Sequence, residues 1–364
     1  MTTPTRPALA QLPPYALAEQ GLPGVDRIIQ LGQNELGVTP GPAALSAIAG
    51  IGDLNRYPDA DHTALRQAIS EVHGLECARI VCGAGSMELL GLIAAIYCEP
   101  GVEVVVSQYG YKFFQVQCSL AGAELHVVPE PEMRIDIDAI AAAVTDRTRL
   151  IFLVDPNNPT GARLPAGALR HLRAKVPDRV MIMLDGAYAE FVSDPDYDDG
   201  FALVDEGANV VVLRTFSKAY GLAGLRVGWL YGPADVVDAI GRARAPNSVT
   251  APGLAAAEAA MRDREYLSHA VTQVVEEREN FRRFAASAGL PSLPSDGNFV
   301  LLRCPATGPI SANDLTEGLK RAGIIIRPMQ SYGLADAIRI TVGSTAEMSA
   351  LREAMTDLMP TATD

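Results

Sequence analysis

The chain is punctuated by short, nearly unbroken apolar runs that each end in a polar or glycine-rich turn. Residues 103–106, 150–154, 180–184 and 210–213 have the pattern of strands buried on both faces, and residues 80–82 form a shorter candidate. Helical spacing alternates with them. Residues 64–72 are amphipathic, and MELLGLIAAIYC (87–98) is an apolar helix opened by a Gly-Ala-Gly-Ser turn. Strand, polar turn and helix recur four or five times between about residue 80 and residue 230. That alternation predicts an α/β domain with a mostly parallel sheet. Pro246 and Asn247 mark its exit. A helical stretch over 254–288 follows, with strand candidates at 298–302, 324–326 and 338–342, which predict a smaller α+β domain. Residues 1–35 are proline-rich and weakly periodic. They read as an arm packed on the body or, alternatively, as a loose terminus. The expected division is an arm over 1–35, a large domain over 36–246 and a small domain over 247–364.

Ligands of such sheets gather at the carboxyl ends of the strands, where this sequence places unusual residues. After the run at 210–213 the strand is expected to end in Arg214, Thr215, Phe216, Ser217 and Lys218, followed by Gly221, Gly224 and Arg226. Lysine is among the residues least often buried. Lys218 is either a surface residue or a partly desolvated amine suited to a Schiff base. Thr215, Ser217 and Arg226 supply hydroxyls and a guanidinium fork that suit a phosphate. The turn Ala84, Gly85, Ser86 opens a helix, so its N–H groups form a ready anion site, although most such turns bind nothing. Beside Lys218 it reads as the second half of a phosphate cup. Asp185 ends a buried run, where an acid is costly unless paired, and a pyridinium nitrogen is one such partner. Asn158 sits in the turn PNNPTG. Tyr109 or Tyr111 follows another strand end and could lie flat on a pyridine ring or pack as an ordinary core tyrosine. Arg339 interrupts the apolar run AIRIT, either on a solvated face or as a bidentate anion ligand.

The stretch VVVLRTFSKAYGLAGLRVGW (210–229), with PNNPTG and Asp185-Gly-Ala-Tyr188, resembles the cofactor-lysine and ring-binding motifs of the fold-type I pyridoxal-phosphate enzymes. It is most similar to the histidinol-phosphate aminotransferase branch of the class I/II aminotransferases. The resemblance runs from Pro14 to Gly343. It implies a three-layer large domain, a smaller α+β domain and pyridoxal 5'-phosphate as cofactor, joined to Lys218 as an aldimine. Asp185 would hold the ring nitrogen, and Asn158 and Tyr188 the phenolic oxygen. Tyr109, in preference to Tyr111, would stack on the ring. Thr215, Ser217 and Arg226, with Ala84, Gly85 and Ser86, would hold the phosphate. Tyr57, in Asn55-Arg56-Tyr57-Pro58, would cross to the neighbouring site of a homodimer; otherwise that tetrapeptide is an exposed turn. Tyr15, after Pro13-Pro14, would cover the substrate. Arg339 would bind its anionic group, Arg327 its phosphate, and Asn298 would steady the substrate end. The expected reaction is transamination from histidinol phosphate, or a similar amino acid or amine, to a 2-oxo acid such as 2-oxoglutarate. Lys218, Asp185 and Tyr188 would be its catalytic residues. The competing readings are a decarboxylase of the threonine-phosphate type, an aromatic or general aminotransferase, and a non-catalytic binding protein. Two positions depart from the family. Leu36 and Gly37 follow Asn34-Glu35 where a proline is usual, and Gly186 replaces a usual glutamate, which is expected to leave room nearby.

Composition narrows the partners. At 364 residues the chain is long for one core and suits two domains. A net charge of −13 argues against nucleic acid or an anionic membrane, but not against a small anion in a locally basic site. The five cysteines include no CxxC pair, and an odd count fits reduced thiols in the cytoplasm. The five histidines show no metal-binding spacing, so no metal is expected. The N-terminal sequence lacks the pattern of a secretion signal, and no apolar run reaches the ~20 residues of a membrane span.

Overall fold

Apolar runs that can bury both faces pair into one central sheet. The computed structural model describes residues 19, 21–24 and 27–359. Its strands, in chain order, are β1 (Ile29–Gln30), β2 (Ile80–Gly83), β3 (Glu103–Ser107), β4 (Glu124–Val128), β5 (Thr148–Val154), β6 (Met181–Asp185), β7 (Val210–Thr215), β8 (Gly228–Tyr231), β9 (Phe299–Arg303), β10 (Ile324–Ile325), β11 (Arg327–Pro328) and β12 (Ala337–Thr341). Seven form the central sheet in the order β2-β8-β7-β6-β5-β3-β4. β8 is antiparallel to both neighbours, and the remaining pairs are parallel.

Successive residues along each central strand enter different cores. Ile151, Leu153, Val210 and Val212 face one cluster, and Leu150, Phe152, Val211 and Leu213 face the other. Helices Ser86–Tyr97, Lys112–Ala121 and Ala234–Ala243 cover the second face with Leu89, Ile93, Phe114 and Ile240. Helices Thr63–His73 and Ala168–Lys175 contribute Leu65, Ile69, Leu169 and Leu172 to the first. Three layers result, as the family resemblance implied. Each fully buried Val, Leu or Ile contributes about 1.5–3 kcal/mol.

Register aligns the carboxyl edge. Val154 of β5 stands beside Asp185 of β6, which stands beside Leu213 of β7. Thr215 of β7 pairs with Gly228, which pairs with Gly83 of β2. The turns that leave β2, β5, β6 and β7 therefore meet on one side.

A second sheet, β11-β12-β9, is antiparallel. Near it, β1 pairs in parallel with β10. The chain after β1 continues along β12: the Thr341 N–H donates to the Leu31 carbonyl at 2.9 Å. Residues 29–34 are thus built into the strands at the far end of the sequence.

The structure departs from the sequence pattern at several places. The strand expected to stop after Leu213 continues through Arg214 and Thr215. Arg214 stays buried because Glu190 (3.6 Å) and Asp199 (3.4 Å) face it and the Phe201 ring lies 5.0 Å from its guanidinium carbon. The helical stretch over 254–288 is two helices, Ala251–Arg262 and Arg264–Ser287. They part at Asp263, whose carboxylate caps the second by accepting from the Tyr266 N–H at 3.1 Å. β4 and β8 were not anticipated. ELHVV mixes polar and apolar residues at a sheet edge, and GWLY is short and follows a glycine-rich turn.

Close approach at Gly228 seats helix Ser86–Tyr97 on the sheet edge. A Cβ at 228 would lie 2.3 Å from the Ser86 nitrogen and 2.7 Å from the Gly85 carbonyl carbon, both backbone atoms that cannot swing aside. Gly228→Ala is expected to destabilise the protein by about 1–3 kcal/mol in urea unfolding. An unchanged midpoint and slope would show that this approach is not required.

Candidate active site

Phe216, fully buried, anchors the turn after β7, and the Leu222 N–H closes it on the Phe216 carbonyl at 2.9 Å. The turn aims the Lys218 side chain back across the sheet edge. Its Nζ donates to the backbone carbonyls of Gln33 (3.1 Å) and Asn34 (2.9 Å) and lies 5.8 Å from the centre of the Tyr188 ring. Withdrawal from water lowers the amine to about 7, helped by the positive charges of Arg339 and Arg226 and opposed by Glu35 and Asp185. An amine with that value is substantially neutral, and nucleophilic, near pH 7.

Asp185 ends β6 and is buried. One carboxylate oxygen accepts from the Ala187 N–H at 3.1 Å. Burial raises its carboxyl to about 6, against the pull of that N–H and of Lys218 and Arg214. Three residues on, the ring of Tyr188 packs edge-on to Phe299, with centroids 5.1 Å apart. Its hydroxyl accepts from Asn34 Nδ2 at 2.9 Å and from Asn158 Nδ2 at 3.3 Å. Burial pushes the phenol up to about 12.

Next to Lys218 lies a cup of donors. Arg226 adopts a left-handed backbone (φ 54°) and donates to Ser217 Oγ at 3.2 Å and to the Ala223 carbonyl at 3.0 Å. Gly85, at φ 80°, faces it: a Cβ there would lie 2.6 Å from Arg226 Nη2. Thr215 Oγ1 accepts from the Ser217 N–H at 3.1 Å. The Ala84 N–H is already given to Glu88 Oε2 (2.6 Å), and that of Gly85 to the Gly83 carbonyl (2.8 Å). These two residues shape the turn. The N–H groups with no intrahelical acceptor begin at Ser86, and helix Ser86–Tyr97 has no side-chain cap.

Arg339, on β12, is buried rather than on a solvated face. It donates to Asn158 Oδ1 at 2.5 Å and to the Gly32 carbonyl at 2.8 Å, and its buried Nε has no acceptor. Arg327 stands directly opposite on β11. Two cations in register repel unless an anion joins them. Asn298 Nδ2 donates to the carbonyls of Asn34 (3.1 Å) and Glu35 (3.3 Å).

The remaining expected residues lie in other surroundings. The Tyr109 ring packs toward Met133, Leu301, Met329 and Leu334. Tyr111 packs with the core beneath helix Ser86–Tyr97, its hydroxyl 3.8 Å from Met87 sulfur. Tyr57 is 88% exposed. Tyr15, with Pro13 and Pro14, lies outside the described residues. The room expected at Gly186 is taken by Arg214, whose Nε would be 3.2 Å from a Cβ there.

Two site residues were not anticipated from sequence. Glu130 accepts from the Tyr109 N–H (2.8 Å) and from Asn157 Nδ2 (3.1 Å), tying the Tyr109 turn to the PNNPTG turn. Asn34 meets Lys218, Tyr188, Asn298 and Thr341. The Asn34-Glu35 pair shared with the resembling family was the only local signal, and it assigned Asn34 no role.

Comparison with known proteins agrees with this geometry. The family described as aminotransferase class I and II matches residues 26–355. The histidinol-phosphate aminotransferase of Rhodospirillum rubrum is 44% identical over 96% of this chain and 95% of its own. That of Dinoroseobacter shibae is 43% identical over 96% of each. Among solved structures, histidinol-phosphate aminotransferase from Sinorhizobium meliloti in complex with pyridoxal-5'-phosphate superposes with a TM-score of 0.87. It is 31% identical, over 98% of both chains.

The state of the Lys218 amine is directly measurable. In the ligand-free protein, modification of Lys218 by trinitrobenzenesulfonate, followed by peptide mapping, is expected to rise with pH around a midpoint near 7. A midpoint near the ordinary 10.5 would contradict the desolvated amine.

Proposed function

The chain belongs to the class I and II aminotransferases, and we propose that histidinol phosphate is its amino donor and 2-oxoglutarate its acceptor. It is a pyridoxal-phosphate-dependent transaminase. The observation that carries the reading is the Lys218 amine, bonded to the Gln33 and Asn34 carbonyls, at a carboxyl edge shared with Asp185, Tyr188 and the cup of Thr215, Ser217 and Arg226.

The residues fit that cofactor. Asp185 is a buried carboxyl whose charge is costly without a cation, and a protonated ring nitrogen supplies one. Thr215, Ser217, Arg226 and the uncapped N–H groups from Ser86 onward would hold the phosphate, in a cleft that side chains at 85 or 228 would close. Ala84 and Gly85 would shape that cleft. Tyr188 and Asn158 would hold the phenolic oxygen, and Tyr109 would cover the ring. When bound, pyridoxal phosphate supplies an aldehyde for the Lys218 amine and an electron-withdrawing ring that acidifies the substrate α-carbon.

The chain's own groups supply the rest. Lys218 Nζ takes the α-proton and returns it, which suits an amine that titrates near neutrality. Arg339 orients the substrate's anionic end. Arg327, beside it in register, gives a doubly charged phosphate two guanidinium groups. The names and identities of the relatives support a phosphorylated donor over an aromatic one. We further propose a homodimer in the cytoplasm. An exposed Tyr57 ring is available to enter a neighbour's phosphate cup, and none of the described helices is long and apolar enough to cross a membrane. The division into an arm (1–35), a large domain (36–246) and a small domain (247–364) is part of the same proposal; residues 29–34 of the arm pair with the small domain's strands.

Purified protein given histidinol phosphate and 2-oxoglutarate is expected to form glutamate. Lys218→Ala should lower turnover about 10³-fold or more and remove the visible imine band. Carbon dioxide released from a phosphorylated amino acid without glutamate, or full turnover by Lys218→Ala, would overturn the proposal.

A further inference from the structure

Asn34 is buried, and its left-handed backbone (φ 54°) is one that asparagine tolerates better than most residues. Donor and acceptor roles around it follow from the way the two flanking amides, Asn34 and Asn158, are turned. The Asn34 N–H donates to Thr341 Oγ1 at 2.9 Å. The structure turns Asn34 Oδ1 toward that hydroxyl, 3.3 Å away, which makes Thr341 the donor of the pair. With Oδ1 turned to Thr341, Asn34 Nδ2 faces Tyr188 and donates to its Oη at 2.9 Å. The opposite side is fixed by a partner with a single role. Arg339 only donates, so Asn158 presents Oδ1 to it and Nδ2 to Tyr188.

Tyr188 Oη therefore accepts from two amides, one on each side. A phenol oxygen that has accepted two hydrogen bonds has one proton left, and it must point away from both. We propose that Asn34 is a positioning residue that commits Tyr188 to act as a hydrogen-bond donor toward the cofactor's phenolic oxygen, while its own peptide carbonyl holds the amine of Lys218. The inference rests on the reading of Tyr188 given above. One residue thereby sets the groups on both sides of the reacting centre. It does so from the segment that joins β1 to β12, since Leu31 and Asn34 both bond to Thr341.

The test follows the pH-dependent change in visible absorption of the holoprotein. A proton donated by Tyr188 stabilises the phenolate and keeps the midpoint low. Asn34→Gly keeps the backbone conformation and removes the side chain, and it is expected to raise the midpoint by about one pH unit, the scale of one hydrogen bond to a charged group. Asn34→Asp replaces the donor with an acceptor and should raise it at least as far. In a Tyr188→Phe background neither substitution should add a further rise. A wild-type midpoint in Asn34→Gly, with Tyr188→Phe shifted, would overturn the inference and leave the role of Tyr188 intact. An equal rise with and without the Tyr188 hydroxyl would also overturn it, since the effect would then be charge or structure alone. An unshifted Tyr188→Phe would remove both the role of Tyr188 and the inference built on it.

Discussion

An amine and a carboxyl group are withdrawn from water at one sheet edge, and the rest of the protein is arranged around that cost. Lys218 falls to about 7 and Asp185 rises to about 6, each because burial disfavours its charge. Neither would be retained in a core that only had to fold. Each meets backbone polar groups rather than a charge-neutralising side chain: two carbonyls for Lys218, and an N–H for Asp185. A buried amine and a buried carboxyl of this kind suit a ligand that carries an aldehyde and a basic ring nitrogen.

The sheet makes this placement possible. Parallel β5, β6 and β7 deliver Asn158, Asp185 and Lys218 to the same side in adjacent turns. β8, running the other way, brings Gly228 beside Thr215 and Gly83, so the backbone of helix Ser86–Tyr97 can approach where a side chain would block it. The small sheet closes the opposite side. β12 presents Arg339, and the segment after β1 is laid across to hold Lys218 and Tyr188 through Asn34. Chain ends far apart in sequence are thus joined at the reacting centre.

Much of this was legible before the fold was known, for a local reason. Asp185 directly follows an apolar run, and Asn158 and Lys218 come four and five residues after one, so each strand and its chemistry sit in one short window. Asn34 and Glu130 were not legible as site residues because their partners lie 21 to 307 residues away, and the family likeness at Asn34-Glu35 names no partner. Arg214 looked like the end of a strand because its partners, Glu190 and Asp199, come from other elements. Gly186 looked like free space because a missing side chain shows in sequence and the arginine that fills its place does not. The break at Asp263 was hidden by helix-favouring residues on both sides of a cap.

The central claim is that the Lys218 amine is the group that bonds the cofactor. The direct measurement is to load the protein with pyridoxal phosphate, reduce it with borohydride, digest it and locate the added mass by tandem spectrometry. The account predicts a phosphopyridoxyl label on Lys218. A label confined to Lys112, Lys175 or Lys320, or no label at all, would contradict it.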